Sequence, residues 1–311
     1  MCGIAGLIYR NGNGAHRIGD DLTRMLQSMR HRGPDSTGYA LYRAPEQELI
    51  MRLKLADGPA DGDLELADAL RRRRHGVRTR LREGGAQIAT IEDVNEYTIL
   101  LTLSYEGELK RLADLAESVN GVEVLSAGHA LEIVKDLGDA RTVSAEYGLD
   151  RYLGSHGIGH ARMATESDVD ISNAHPYWAY PFSDVAVVHN GQLTNYHQWR
   201  RRLERLGHRF ASDCDSEIIA VYLAERMREG DSLEEAMRRS LNDLDGVFTY
   251  ICVTEEALGM AKDELAAKPL VLYEGDELVA LASEEIAIRA VIDHEIETYD
   301  PYESQVMVWT R

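Results

Sequence analysis

The sequence predicts an α+β fold, a four-layer αββα sandwich carrying a small α+β insert at residues 55–150 of a single 1–311 domain. Three observations lead there. β-rich runs open and close the chain, as GIAGLIY and SQVMVWT. Helical spacing is concentrated in the interior, with three helices in succession between about 194 and 244. Strands and helices also alternate too irregularly for a doubly wound parallel sheet. Two sheets packed face to face, with helices outside, satisfy that order.

The elements follow in turn. Over residues 2–9, Cys2, Ile4, Gly6 and Ile8 alternate with Gly3, Ala5, Leu7 and Tyr9, the period of a strand. The NGNG turn at 11–14 ends it. Ile18, Leu22, Met25, Leu26 and Met29 then mark one face of a helix. HRGPDSTG at 31–38 reads as a loop, because Gly and Pro break the helix and Asp and Ser favour turns. Residues 55–85 change character, from DGPADGD through an amphipathic LELADAL to RRRRHGVRTRLR. Residues 98–135 read strand, helix, strand, strand, which defines the insert.

From His156 the chain returns to short strands and loops, GIGHARMAT and VAVVHNGQL. Helices follow at about 194–206, 215–229 and 232–244. The last begins with Ser232 as cap and Glu235 in the capping-box position. β-rich runs and one short helix near 284–291 complete the chain.

Composition narrows the function. The 311 residues have an apolar fraction of 44%, enough to bury a sizeable core. With 34 basic and 53 acidic residues the net charge is −19, which argues against nucleic acid and against anionic membrane surfaces. The three cysteines, Cys2, Cys214 and Cys252, form no disulfide framework and suit a reducing compartment. The first thirty residues are charged throughout and no apolar run approaches about 20 residues, so neither a signal peptide nor a membrane-spanning helix is expected. A cytoplasmic location is the expectation. No Gly-rich phosphate-binding pattern is present, so no cofactor is expected. His156 and His160 lie four apart in strand and loop, where that spacing does not align side chains, so no metal site is expected either.

Cys2 is the residue that raises a chemical question. If Met1 is removed, one residue carries both a thiol and an α-amino group. An α-amino pKa of ~7.7–8 lets that amine serve as a general base, so the nucleophile needs no histidine. The plain alternative is a small buried residue at the start of a strand.

Six segments occur in order: MCGIAG at the start, RHRGPDSTG (30–38), GHARMAT (159–165), NAHPY (173–177), HNGQLTN (189–195) and DCDSEII (213–219). Together they resemble the class II glutamine amidotransferases, the N-terminal-nucleophile family that releases ammonia from glutamine. The resemblance extends weakly through AKDELAAKPLVLYEG (261–275) and ALASEEIAIRAV (280–291), and covers residues 1–40 and 155–311. It implies a fold of the N-terminal-nucleophile hydrolase type. It also implies that Cys2 attacks the carboxamide of glutamine to form a γ-glutamyl thioester, with Asn190 and Gly191 as the oxyanion hole. Arg162 would bind the substrate carboxylate, with Thr165 adding a hydroxyl contact. Asp215 would bind the ammonium, although its place at a helix start also suits an N-cap. His175 matches a family histidine near the pocket. Arg32, Gly33 and Asp35 fall in the family's glutamine-side loop. Met163 replaces an aromatic residue and Glu166 a histidine found in many members, departures that bear on loop closure and on partner choice.

The family pattern runs to the last strand and leaves nothing for a synthase domain. The expectation is therefore a glutaminase subunit delivering ammonia to a separate synthase, within a hetero-oligomer. The long insert resembles that of the amidotransferase subunits of glutamate synthase-like and N-methylglutamate synthase-like complexes, where the acceptor is an FMN-dependent flavoprotein. It is the expected docking module. The arginine run at 71–82 reads first as a solvated helix face and second as a contact for an acidic partner. Alternatives are a stand-alone amidohydrolase of the same fold, a non-catalytic glutamine-sensing subunit, or a structural protein in which Cys2 is incidental.

Overall fold

A computed structural model of the chain describes residues 2–10, 16–59, 62–163, 171 and 174–311. The first half runs β1 (Gly3–Tyr9), α1 (Ile18–Ser28), β2 (Ser36–Tyr42), β3 (Leu49–Lys54), α2 (Leu64–Glu83), β4 (Gln87–Asp93) and β5 (Thr98–Ser104). It continues with α3 (Leu109–Glu117), β6 (Glu123–Gly128), β7 (Leu131–Leu137), α4 (Ala140–Tyr147) and β8 (His156–Arg162). The second half holds β9 (Tyr177–Trp178), β10 (Ala186–Leu193), α5 (Tyr196–Arg205), α6 (Asp215–Arg228), α7 (Leu233–Asp243) and β11 (Gly246–Val253). β12 (Ala257–Lys262), β13 (Val271–Glu274), β14 (Leu278–Ala282), α8 (Glu285–Arg289) and β15 (Val306–Thr310) close the chain.

Three sheets result. A six-stranded sheet has the order β13-β14-β1-β8-β2-β7, and a five-stranded sheet the order β15-β12-β11-β10-β9. Their central strands β1, β8, β10, β11 and β12 pack against one another. Helices α1, α4 and α8 cover the outside of the first sheet, and α6 and α7 the outside of the second. This is the four-layer αββα sandwich. The strand period builds it. Ile4 and Ile8 of β1 join the core between the sheets, while Ala5 and Leu7 join the core under α1. In β10, Ala186 and Val188 point between the sheets and Val187 points to α6.

The third sheet, β4-β5-β3-β6, is built from residues between Leu49 and Gly128 and carries α2 and α3. β7 was grouped by the sequence with this segment. It pairs instead with β2 in the six-stranded sheet, Ser36 opposite Leu137 through Tyr42 opposite Leu131. β4 escaped the sequence pattern because a register shift between Ile88 and Thr90 puts its apolar residues three apart instead of two. The loop expected to run to Gly38 ends at Ser36, where pairing with Arg162 begins.

The third sheet is not loosely appended. Its Met51, Leu53, Leu101 and Leu103 belong to the same buried cluster as Ile4 and Ile251. A buried ion triad adds to the join: Glu132 of β7 meets Arg52 of β3 at 2.5 Å and Arg43 at 2.6 Å. Burial pushes the Glu132 carboxyl up, but the two guanidiniums outweigh it and hold it below the usual carboxylate range. No described helix is long and apolar enough to cross a membrane.

Candidate active site

The strand register brings distant residues to one end of the sandwich. Gly3 sits opposite Ala161, and Ser36 opposite Arg162, so β1, β2 and β8 reach the same edge. Cys2 precedes Gly3 there, half-buried. Across the inter-sheet space, Asn190 shares the inward parity of Val188 and Ala186. Its Nδ2 donates to the Cys2 carbonyl oxygen at 3.2 Å. Residues 188 positions apart therefore meet at the mouth of the fold.

Four further residues, Arg32, Glu284, His31 and Ser283, surround the start of β1. Arg32 Nε donates to the same carbonyl at 3.1 Å, and Arg32 Nη1 donates to Glu284 at 2.6 Å. His31 also contacts Glu284, at 3.1 Å. Burial raises the Glu284 carboxyl, yet Arg32 and His31 bring it below its ordinary value. Ser283 Oγ accepts the Ile4 N–H at 3.0 Å, and the Ser283 N–H returns a bond to the Ile4 carbonyl at 2.9 Å. The end of β14 thus fixes the start of β1. Ser283 and Glu284 were not singled out from the sequence. A Ser-Glu pair before a short helix reads as a cap, and only the fold shows that the Ser283 hydroxyl reaches the first strand and the Glu284 carboxylate reaches Arg32.

Gly191 follows Asn190 with φ of 145°, a backbone state that side chains resist. A Cβ there would stand 2.2 Å from the Val247 carbonyl oxygen, so only glycine fits. Gly33 is required by close approach: its Cβ would lie 2.4 Å from the backbone of Arg162. That packing, and the Asp35 N–H donating to the Arg162 carbonyl at 3.1 Å, seat the 33–35 loop against the end of β8.

An open cleft of about 1070 Å³ starts at Gly191, next to Asn190, and is lined by Arg162, Gly191, Tyr196, Asp213, Asp215 and Lys268, among others; Cys2 itself is not in its lining. It offers cationic and anionic groups together, which is what a zwitterionic amino acid needs. Asp215 does not cap α6. The N-cap residue is Cys214, and Asp215 Oδ2 instead accepts the Leu193 N–H at 2.7 Å, tying the helix start to β10. His189 Nδ1 stands 3.6 Å from Asp215 Oδ1. Burial raises the Asp215 carboxyl, but His189 and the Leu193 N–H prevail and keep it ionised below its usual range.

His175 is buried behind this wall and does not line the cleft. It accepts the His189 N–H on Nδ1 at 3.3 Å, meets Ser216 Oγ through Nε2 at 3.1 Å, and stacks on His160 with centroids 4.1 Å apart. Burial pushes His175 well below its ordinary pKa and His160 down to about 3. Both are neutral packing groups at working pH. Among the described residues no group of three or more His, Cys, Asp or Glu side chains is arranged to hold a metal ion. Thr165 lies outside the described residues, as does Glu166.

Comparison with known proteins fits this geometry. A family model described as a glutamine amidotransferase domain matches residues 160–290. A putative glutamine amidotransferase of Methanothermobacter thermautotrophicus is 40% identical, over 98% of this chain and 99% of its own length. The glutamine amidotransferase-like protein GlxB of Rhizobium meliloti is 34% identical, over 99% of this chain and 98% of its own. Among solved structures, the glutamine phosphoribosylpyrophosphate amidotransferase from B. subtilis superposes with a TM-score of 0.60 at 18% identity, covering 99% of this chain and 47% of that one, a likeness of fold. With the first strand, the Asn190-Gly191 step of β10 and the charged cleft assembled at one edge, and with near full-length relatives of this identity, the chain belongs to the class II glutamine amidotransferase family.

Proposed function

We propose that the protein hydrolyses glutamine to glutamate and ammonia through Cys2 and passes the ammonia to a separate synthase. The observation that carries the catalytic part is the 3.2 Å contact between Asn190 Nδ2 and the Cys2 carbonyl, which sets an amide donor beside the nucleophile. The Asn190 amide has two hydrogens; one is used on that carbonyl and the second is available to a substrate oxyanion.

The steps follow from the groups present. Removal of Met1 frees the Cys2 α-amine, which takes the thiol proton directly or through a water. The thiolate adds to the γ-carboxamide carbon of glutamine. Negative charge develops on the carbonyl oxygen, where the Asn190 amide and the Gly191 N–H stabilise it. The tetrahedral intermediate collapses, the proton returns to the departing nitrogen, and ammonia leaves. A water then attacks the γ-glutamyl thioester, glutamate departs and the thiol is restored. Arg162 holds the substrate carboxylate in a bidentate pair and Asp215 the ammonium. Thr165 adds a hydroxyl contact. His175 supports the wall beneath through Ser216 and His189.

The acceptor we infer is a glutamate synthase-like or N-methylglutamate synthase-like partner, FMN-dependent, docked on the third sheet in a cytoplasmic hetero-oligomer. Support comes from the resemblance of the insert and from the exposed arginines of α2 in a chain of net charge −19. Because β7 and the shared core bind the insert to the sandwich, its role is best probed by surface substitution, not deletion. The catalytic part is tested by incubating the protein with glutamine, asparagine and short primary amides. Glutamate and ammonia in equal amounts from glutamine alone support it; equal turnover of unrelated amides favours a general amidohydrolase.

A further inference from the structure

We propose that Arg209 is a positioning residue for glutamine, anchoring segment 206–214 to helix α3 of the third sheet and so holding Asp215 at the cleft wall. The inference rests on the assignment of Asp215 as the group that binds the substrate ammonium.

Segment 206–214 connects α5 to α6 and ends in Asp213 and Cys214, both on the cleft. Its far end is held by the third sheet. Arg209 Nε lies 2.9 Å from Asp114 Oδ1, and its Nη2 pairs with Glu117. Asp114 and Glu117 are three apart on α3 and share a face. The guanidinium also covers the Tyr180 ring, 4.1 Å from its centroid, and the Tyr180 hydroxyl donates to Asp114 at 2.5 Å. Glu117 in turn accepts the Val124 N–H of β6 at 2.8 Å, so the anchor reaches into the third sheet itself.

The near end is held by α6. Glu217, two residues after Asp215, accepts the Ala211 N–H at 2.8 Å and the Ser212 N–H at 2.9 Å. Ser212 Oγ donates to the same carboxylate at 2.8 Å and accepts the Cys214 N–H at 3.2 Å. Arg209 is two residues from Ala211, so displacement of the first is felt by the second. Between the two anchors lies a cavity of about 30 Å³, lined by Glu117, Lys135, Arg209, Ala211 and Glu217 among others. That is room for a water or so and no more, so the segment has little space in which to shift. The only charged link from α3 to this segment that the described residues show is the Arg209 pair.

A consequence is that glutamine affinity depends on the third sheet although none of its residues lines the cleft. The test uses the Cys2→Ala protein, in which chemistry is off, and reads the Kd for glutamine by titration calorimetry. Arg209→Ala is expected to raise Kd about tenfold. Arg209→Lys, which can pair with one carboxylate but cannot fork, recovers part of the loss. Asp114→Ala, on the exposed side of the link, shifts Kd the same way, and the double variant is no worse than the weaker single. In the Cys2-containing protein, Arg209→Ala leaves the rate of Cys2 alkylation by iodoacetamide within about twofold. An unchanged Kd in Asp114→Ala and Arg209→Ala overturns the proposal, and so does alkylation falling in step with affinity. If the Cys2→Ala parent itself binds no glutamine, the amidotransferase reading fails first and takes the anchor with it.

Discussion

The mouth of the sandwich and the outer face of the third sheet are built on opposite terms. At the mouth, Cys2, Asn190, Arg32 and Glu284 hold one another, burial keeps His160 and His175 behind them neutral, and Gly191 and Gly33 leave no volume for a Cβ. On the third sheet, α2 carries seven arginines against three carboxylates, and β4 is an edge strand bonded only to β5. Arg71, Arg74 and Arg80 find acidic neighbours and Arg73 reaches the Leu55 carbonyl. Arg72, Arg78 and Arg82 have no ion-pair partner among the described residues. The difference teaches that the first region pairs its polar groups across the fold, whereas the second leaves three arginines without an ion-pair partner among the described residues. Substitutions should therefore act very unequally on the two.

The largest effect belongs to Cys2. Cys2→Ala is expected to remove glutamine hydrolysis by at least about 10³-fold, because the other cysteine at the cleft, Cys214, has its thiol pushed up by burial and is a poor nucleophile. Asn190→Ala, which deletes one oxyanion donor, is expected to lower kcat by about 10²–10³-fold with KM changed little, read from initial rates of glutamate release. Asp215→Asn keeps the Leu193 bond but loses the charge, and should raise KM for glutamine by roughly 10-fold, about 1.4 kcal/mol.

A pH experiment sharpens the comparison in another way. His156, pushed by burial to about 4, His160, at about 3, and His175 stay neutral when folded but protonate near 6.5 once unfolded. The unfolded state then binds more protons, so stability falls as pH drops from about 6.5 toward 4, by up to about 1.4 kcal/mol per pH unit for each histidine. Glu132, held low by its two arginines, adds a loss only below the ordinary carboxylate range. Urea midpoints between pH 7 and 4 measure this, and a flat profile contradicts the buried-neutral assignment. The smallest effect is expected on the open face. Arg78→Ala should leave the melting temperature within about 2 °C and glutamine turnover unchanged, since an exposed, unpaired arginine contributes less than about 0.5 kcal/mol.

The same contrast explains what could be read from sequence. The sandwich was legible because its strands keep a strict period of two between two cores, as in Ile4, Ala5, Leu7 and Ile8. Candidate site residues were legible through the resemblance of short segments to a known family, as in HNG at 189–191 and HAR at 160–162. Their partners were not. Glu284 acts on Cys2 through Arg32 across 252 positions, and no local pattern announces that. β4 was hidden by its register shift, and β7 changed sheets because pairing with β2 is a tertiary choice that its own residues do not encode. Asp215 also suited a helix cap, and only the approach of Leu193 shows its carboxylate engaged elsewhere.

The central claim is that Cys2 is the N-terminal nucleophile of a glutaminase. The most direct test is the intact mass of the protein after exposure to a glutamine-mimicking electrophile, with peptide mapping of the adduct. The account predicts loss of Met1 and a single adduct, on Cys2 and not on the buried Cys252 or on Cys214 at the cleft. An adduct on Cys214, or retained Met1 with no adduct at all, would contradict it.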